Sequence, residues 1–190
     1  RGLHVARLIA VLFGAIAVWA TYRLSLEVFP EQRALALLAA ATIAFTPQFV
    51  FISSSASNDS SAVAMSALSL WATVRVMRLG LTVRRGVVLG LLLGLATLSK
   101  ASAIGLAPLA FMAVLAVDVS GQTRIGARLR GVCLALLVAL LCWGPWALHV
   151  LASFGDALGN SPHMAMPWAR PVALPLFATI AQLPNIWTSF

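Results

Sequence analysis

The stretch GVVLGLLLGLATLSKASAIGLAPLAFMAVLAV, residues 86–117, is 32 residues long and carries one charge, Lys100. A membrane-spanning helix takes roughly 20 apolar residues, so this run is too long for a single span. Lys100 sits in the polar string Leu98-Ser99-Lys100-Ala101-Ser102, which divides the run. Two helices are expected, 86–98 and 103–117, with Lys100 at the turn between them. A cation in such a run is costly unless it reaches water or a partner, which makes it a functional candidate. The plainer reading is a lysine that snorkels and only marks a helix end.

The same pattern continues to either side. Apolar stretches run over 8–22 between Arg7 and Arg23, over 34–53 with Pro47 inside, and over 61–77 ending near Arg75 and Arg78. A further stretch covers 131–153 and contains Pro145. The expected fold class is all-α: a polytopic transmembrane helix bundle of about six spanning helices. Residues 154–190 are read as an external loop or interfacial segment. Pro171, Pro175 and Pro184 make a seventh span there the weaker alternative. The chain opens on Arg1 rather than Met, and it is read as a slice of a longer protein.

Composition agrees with this reading. Of the 190 residues, 61% are hydrophobic and 9% charged, with a mean hydropathy of +0.97. Soluble domains carry about 25% charged residues, so a water-soluble globule, a disordered chain and a disulfide scaffold are all excluded. The net charge of +8 does not indicate nucleic acid. The basic residues are scattered, with no Lys/Arg block and no interleaved aromatics. Cys133 and Cys142 fall on opposite faces of one helix, about 13 Å apart along its axis, and cannot bridge within it.

With six spans, nine of the thirteen basic residues share one face: Arg23, Arg33, Arg75, Arg78, Arg84, Arg85, Arg124, Arg128 and Arg130. The positive-inside rule makes that face cytoplasmic. Asn58, Asp59, Lys100, His149 and Asp156 fall on the other, with His163 and Arg170 following. Asp59 closes the polar patch of residues 53–61. It either caps the next helix or presents a carboxylate to a sugar hydroxyl, a cation or an acceptor amine. Asn58-Asp59-Ser60 also fits, weakly, the N-glycosylation pattern. Trp143 and Trp146 read as interfacial anchors, and Gly90, Gly94 and Ala96 as helix-packing positions. There is no His/Cys metal spacing, no phosphate-cradling glycine loop and no nucleophile elbow.

Several strings acquire meaning together: Thr46-Pro47-Gln48-Phe49-Val50 leading to Asn58-Asp59, the 90–100 segment ending in Leu98-Ser99-Lys100, Gly144-Pro145-Trp146, and Phe154-Gly155-Asp156-Ala157-Leu158-Gly159. In this order they resemble the GT-C superfamily of integral membrane glycosyltransferases. The likeness covers roughly residues 5–190. It is greatest to bacterial members similar to protein O-mannosyltransferases and aminoarabinose transferases. The resemblance implies transfer of a sugar from a polyprenyl-phosphate donor to a lipid, glycan or protein acceptor on the outer face. It implies a catalytic acid in an external loop that would lie upstream of Arg1. Asp59 then matches an acidic donor- or acceptor-site position, and Lys100 the lysine of a Leu-Thr-Lys-like motif. Asp156 matches the aspartate of a Tyr-Gly-Asp-Pro-like motif, from which Phe154 and Ala157 depart. His149-Val150 stand where the family often has Arg-Asn, and a histidine is mostly neutral at pH 7.

The expected substrate-binding set is therefore Asp59, Lys100, Asn58, His149 and Asp156. The location is a bacterial inner or plasma membrane, and the Arg/Ala/Leu-rich composition suits a bacterial source. No metal site and no resident cofactor are expected, although a divalent cation is left open. A fixed cation can stabilise the anionic leaving group of such a transfer, and a carboxylate can take the acceptor's proton. Two other readings compete. A transporter or flippase would have Asp59 and Lys100 lining its path, with Lys100 near the midplane and repeated halves in the chain. No repeat relates 1–95 to 96–190. A non-catalytic scaffold would tolerate loss of either charge.

Overall fold

A computed structural model describes residues 2–116 and 125–156. The described residues are helical without strands. In chain order the helices are α1 (Gly2–Val28), α2 (Arg33–Ala44), α3 (Pro47–Ser54), α4 (Asp59–Leu79) and α5 (Val83–Ser99). A 3-10 turn at Ala101–Gly105 then leads into α6 (Leu106–Ala116), and α7 (Ile125–Phe154) follows. The expected features at Arg1, Arg124, His163, Arg170 and the 157–190 segment lie outside the described residues.

Local chemistry sets the breaks. The 34–53 stretch, read from sequence as one span, is two helices bent by 62°. Pro47 opens α3 and pushes the preceding Thr46 out of helical geometry, to φ −69° and ψ 118°. The Thr46 hydroxyl donates back to the Thr42 carbonyl at 2.6 Å, which satisfies an acceptor freed at the break. Gly80, at φ 77°, ends α4 in a conformation that side chains resist. Thr82 then caps α5 by accepting from the Arg85 backbone N–H at 3.3 Å.

Packing is inverted relative to a soluble protein. The buried positions are mostly small: Ala10, Ala17 and Ala20 on α1, and Ala62, Ala64 and Ala72 on α4. Large apolar side chains such as Leu8, Leu12, Phe45, Met112 and Leu148 point outward and are exposed. Lipid leaves such side chains at no cost, and small residues let helix backbones approach. On α5 the buried stripe contains Gly86, Gly90 and Gly94. A Cβ placed on Gly94 would fall 2.7 Å from the Cys142 Cβ and 3.0 Å from the Ala139 carbonyl oxygen, both on α7. The small-residue repeat is thus a packing seam. A compact apolar cluster of Ala72, Val76, Leu89, Leu93, Ala110, Val114 and Val132 ties α4, α5, α6 and α7 together. Buried hydroxyls at Ser69, Thr73 and Thr97 donate to carbonyls four residues back.

Among the described residues, three helices are long and apolar enough to cross a membrane: α1, α4 and α7. The α2–α3 pair makes a fourth if its bent halves count as one span. Six were expected. Helix α5 falls short at 17 residues, with Arg84 and Arg85 in its first turn. The 101–116 stretch is a shorter apolar helix. The chain divides into two compact units, Arg1–Trp146 and Ala147–Phe190. Cys133 and Cys142 are free thiols.

Candidate functional site

Along α4, Asp59 and Arg78 stand at opposite ends, 19 residues and about 28 Å apart. That is close to the thickness of a bilayer's hydrocarbon core, roughly 30 Å. The two ends differ in chemistry. At the Arg78 end, Glu27 meets Arg75 and Arg78, each at 3.4 Å. Arg23 lies 5.8 Å from the rings of both Trp19 and Trp71, which themselves meet edge to face. Arginine, carboxylate and indole thus cluster at this end, a combination suited to a membrane–water boundary.

At the Asp59 end the structure joins two neighbouring residues of one helix start to two neighbouring residues of another helix end. The Lys100 ammonium reaches the Asp59 carboxylate at 2.7 Å. The Asn58 side-chain amide donates to the Ser99 carbonyl at 2.8 Å. Each partner is positioned by local backbone chemistry. Asn58 holds the N-cap position of α4 without a side-chain capping bond, because its amide turns to Ser99 instead. Ser57 accepts weakly from the Asp59 backbone N–H at 3.4 Å, and Ser61 donates to the Asn58 carbonyl at 2.8 Å. Lys100 leaves α5 in extended geometry, φ −155° and ψ 124°, while its own N–H still bonds the Ala96 carbonyl. Its carbonyl accepts from Ala103 and starts the 3-10 turn.

The ion pair is half-exposed: 52% of the Lys100 side chain and 39% of the Asp59 side chain remain accessible. Such pairs contribute about 0–1 kcal/mol, because solvent competes for both charges. The pair can therefore open without unfolding its surroundings. Lys100, but not Asp59, borders a groove of about 600 Å³. Lys100 and Ser102 line it together with Val63, Ala67 and Leu70 of α4 and Leu24 of α1. Thr21 and Ser66 add two hydroxyls, and the rest of the lining is apolar. A second cavity, of about 340 Å³, is lined by Ser57, Asn58 and Ser61 together with Ile9 and Phe13 of α1. The clasp residues thus border two separate spaces, Lys100 one and Asn58 the other.

Of the five expected site residues, the structure brings Asn58, Asp59 and Lys100 together. His149 is exposed on α7, and Asp156 is half-buried just past Gly155, whose φ is 71°. Both belong to the unit that begins at Ala147. The Ser99 carbonyl, Ser57 and Ser102 were not singled out from the sequence. Serines near helix ends carry no distinctive signal, and a backbone acceptor carries none at all. Among the described residues no three His, Cys, Asp or Glu side chains gather as metal ligands would.

Searches of curated proteins and of solved structures find no match to the chain. The arrangement just described, a charged clasp beside an apolar groove in a bundle of apolar helices, falls within a matched region that covers residues 2–149. The matching description is "Dolichyl-phosphate-mannose-protein mannosyltransferase", and with most of its length inside that match the chain belongs to this family of GT-C-type membrane glycosyltransferases.

Proposed function

We propose that this protein transfers a sugar from a polyprenyl-phosphate donor to a lipid, glycan or protein acceptor at the outer face of a bacterial inner or plasma membrane. The observation that carries the reading is the Lys100–Asp59 pair, whose lysine lines the apolar groove. A donor of this class has an apolar tail, an anionic phosphate and a polar sugar. The groove offers apolar contact for the tail and Lys100 a cation for the phosphate. In the transfer, the bond from the sugar's anomeric carbon to the phosphate oxygen breaks, and a bond to the acceptor oxygen or nitrogen forms. The phosphate leaves with the electron pair, and a cation within reach lowers the energy of that charge. Asp59, once released by Lys100, binds donor or acceptor polar groups. The acceptor gives up its proton to a carboxylate base.

On this reading all six apolar stretches cross the bilayer, with α5 and the 101–116 stretch as short spans flanked by snorkelling residues. The nine-residue basic face is cytoplasmic. Lys100 ends α5 instead of lying within it, which supports a headgroup-level site over a transporter path at the midplane. His149 and Asp156 are kept as substrate-binding residues on the family resemblance alone.

The test uses membranes containing the full-length protein, supplied with polyprenyl-phosphate mannose. Lys100→Met is expected to lower kcat/KM by roughly tenfold or more, with Lys100→Arg retaining a substantial part. Wild-type kinetics in Lys100→Met would overturn the assignment of the donor phosphate to Lys100. Transport of an unmodified lipid-linked sugar with no transfer product would favour the flippase instead.

A further inference from the structure

The end of α4 remote from Asp59 holds a second polar feature that the proposed transfer does not use. There α4 and α5 enclose a cavity of about 410 Å³. Arg75 lines it from α4, and Arg84 and Arg85 line it from the first turn of α5, beside Thr82. Ala72, Val76 and Val88 form apolar wall. No carboxylate is among the lining residues.

The three guanidinium groups are not equally answered. Arg75 shares Glu27 with Arg78. Arg85 donates to the carbonyls of Leu79, at 2.5 Å, and Gly80, at 2.8 Å. Those bonds fix its position and leave its charge intact. Arg84 is exposed and forms no ion pair among the described residues. Three cations around one cavity repel each other, and an anion placed among them relieves that repulsion. Guanidinium groups match tetrahedral oxyanions with paired N–H donors.

We propose that this cavity binds a phosphate-class anion at the membrane surface opposite the Asp59–Lys100 pair. Its chemistry fits the phosphate of an acidic phospholipid headgroup, with the glycerol lying against Val76 and Val88, and equally a free phosphate. Arg75 lies 16 residues along α4 from Asp59, about 24 Å away, so one ligand headgroup cannot serve both places.

The test is lipid retention by the detergent-purified full-length protein, read by native mass spectrometry. The probes are phosphatidylglycerol, phosphatidylcholine and inorganic phosphate. The protein is expected to retain phosphatidylglycerol in preference to phosphatidylcholine. Arg84→Gln is expected to weaken that retention roughly fivefold, the effect of one interfacial charge. Arg84→Lys should keep most of it. Arg33→Gln, an exposed arginine on α2 outside the cavity, should leave it unchanged. Displacement of the lipid by inorganic phosphate would identify a soluble anion as the ligand, and resistance to displacement a lipid headgroup. Equal retention of the two lipids with no inorganic phosphate bound, or an unaltered preference in both Arg84→Gln and Arg75→Gln, would overturn the proposal. Sugar transfer is not the readout, so the outcome is independent of the donor site.

Discussion

Lys100 is a lone lysine among twelve arginines, and its ammonium is 2.7 Å from the Asp59 carboxylate. At half exposure that contact is a weak tether. We expect a double-mutant cycle on Asp59→Asn and Lys100→Met to give a coupling of about 1 kcal/mol or less in unfolding free energy. Reversible unfolding in detergent measures it, and a coupling several-fold larger would mean the pair is a structural strut. Transfer activity should respond far more steeply than stability to either change. Asn58→Ala adds a separate expectation. Losing its bond to the Ser99 carbonyl should cost about 1 kcal/mol, in keeping with a neutral side-chain hydrogen bond.

At the scale of elements, the α5–α7 seam determines how near two helices come. Gly94 has no room for a side chain, whereas Gly126 has nothing within 4 Å of where a Cβ would sit. Gly94→Val is therefore expected to destabilise by roughly 1–3 kcal/mol through overpacking. Gly126→Ala should be neutral or mildly stabilising, because it only removes backbone freedom. Thermal unfolding of the two variants in one detergent makes the comparison, and equal melting temperatures would refute the close contact. The bent α2–α3 element shows a different lesson. The proline that marked a tolerated irregularity in a single span actually divides it. Thr46 lies outside helical geometry and the chain turns by 62° there.

For the whole molecule, the decisive quantity is the number of crossings. Six crossings place residue 57 on the same side as residue 101, and residues 31 and 82 on the other. A cysteine-free background (Cys133→Ala, Cys142→Ala) carrying single cysteines at Ser57, Ala101, Glu31 and Thr82 tests this. A membrane-impermeant thiol reagent applied to intact cells should label the first two and spare the last two. Labelling of Ser57 and Ala101 on different sides would overturn the six-span topology.

Much of this protein can be read from its residues alone. Apolar length and scarce charge determine a helical membrane protein, because only a few chemistries leave a chain content in lipid. The division of residues 86–117 at Lys100 is legible for the same reason, since an unanswered cation cannot stay in hydrocarbon. Short strings around Asp59, Lys100, Pro145 and Asp156, taken in order, carry the family resemblance. What the sequence cannot show is that residues 58–59 meet residues 99–100, some 41 positions on. Only the packing of α4 against α5 decides this pairing, and with it the groove beside Lys100. The arginine-lined cavity is equally hidden. Arg75 and the Arg84-Arg85 pair look like ordinary loop-flanking charges until two helices turn them toward one space. Local composition sets where each segment is at ease, whereas contacts between distant segments depend on shape complementarity, which no linear pattern records.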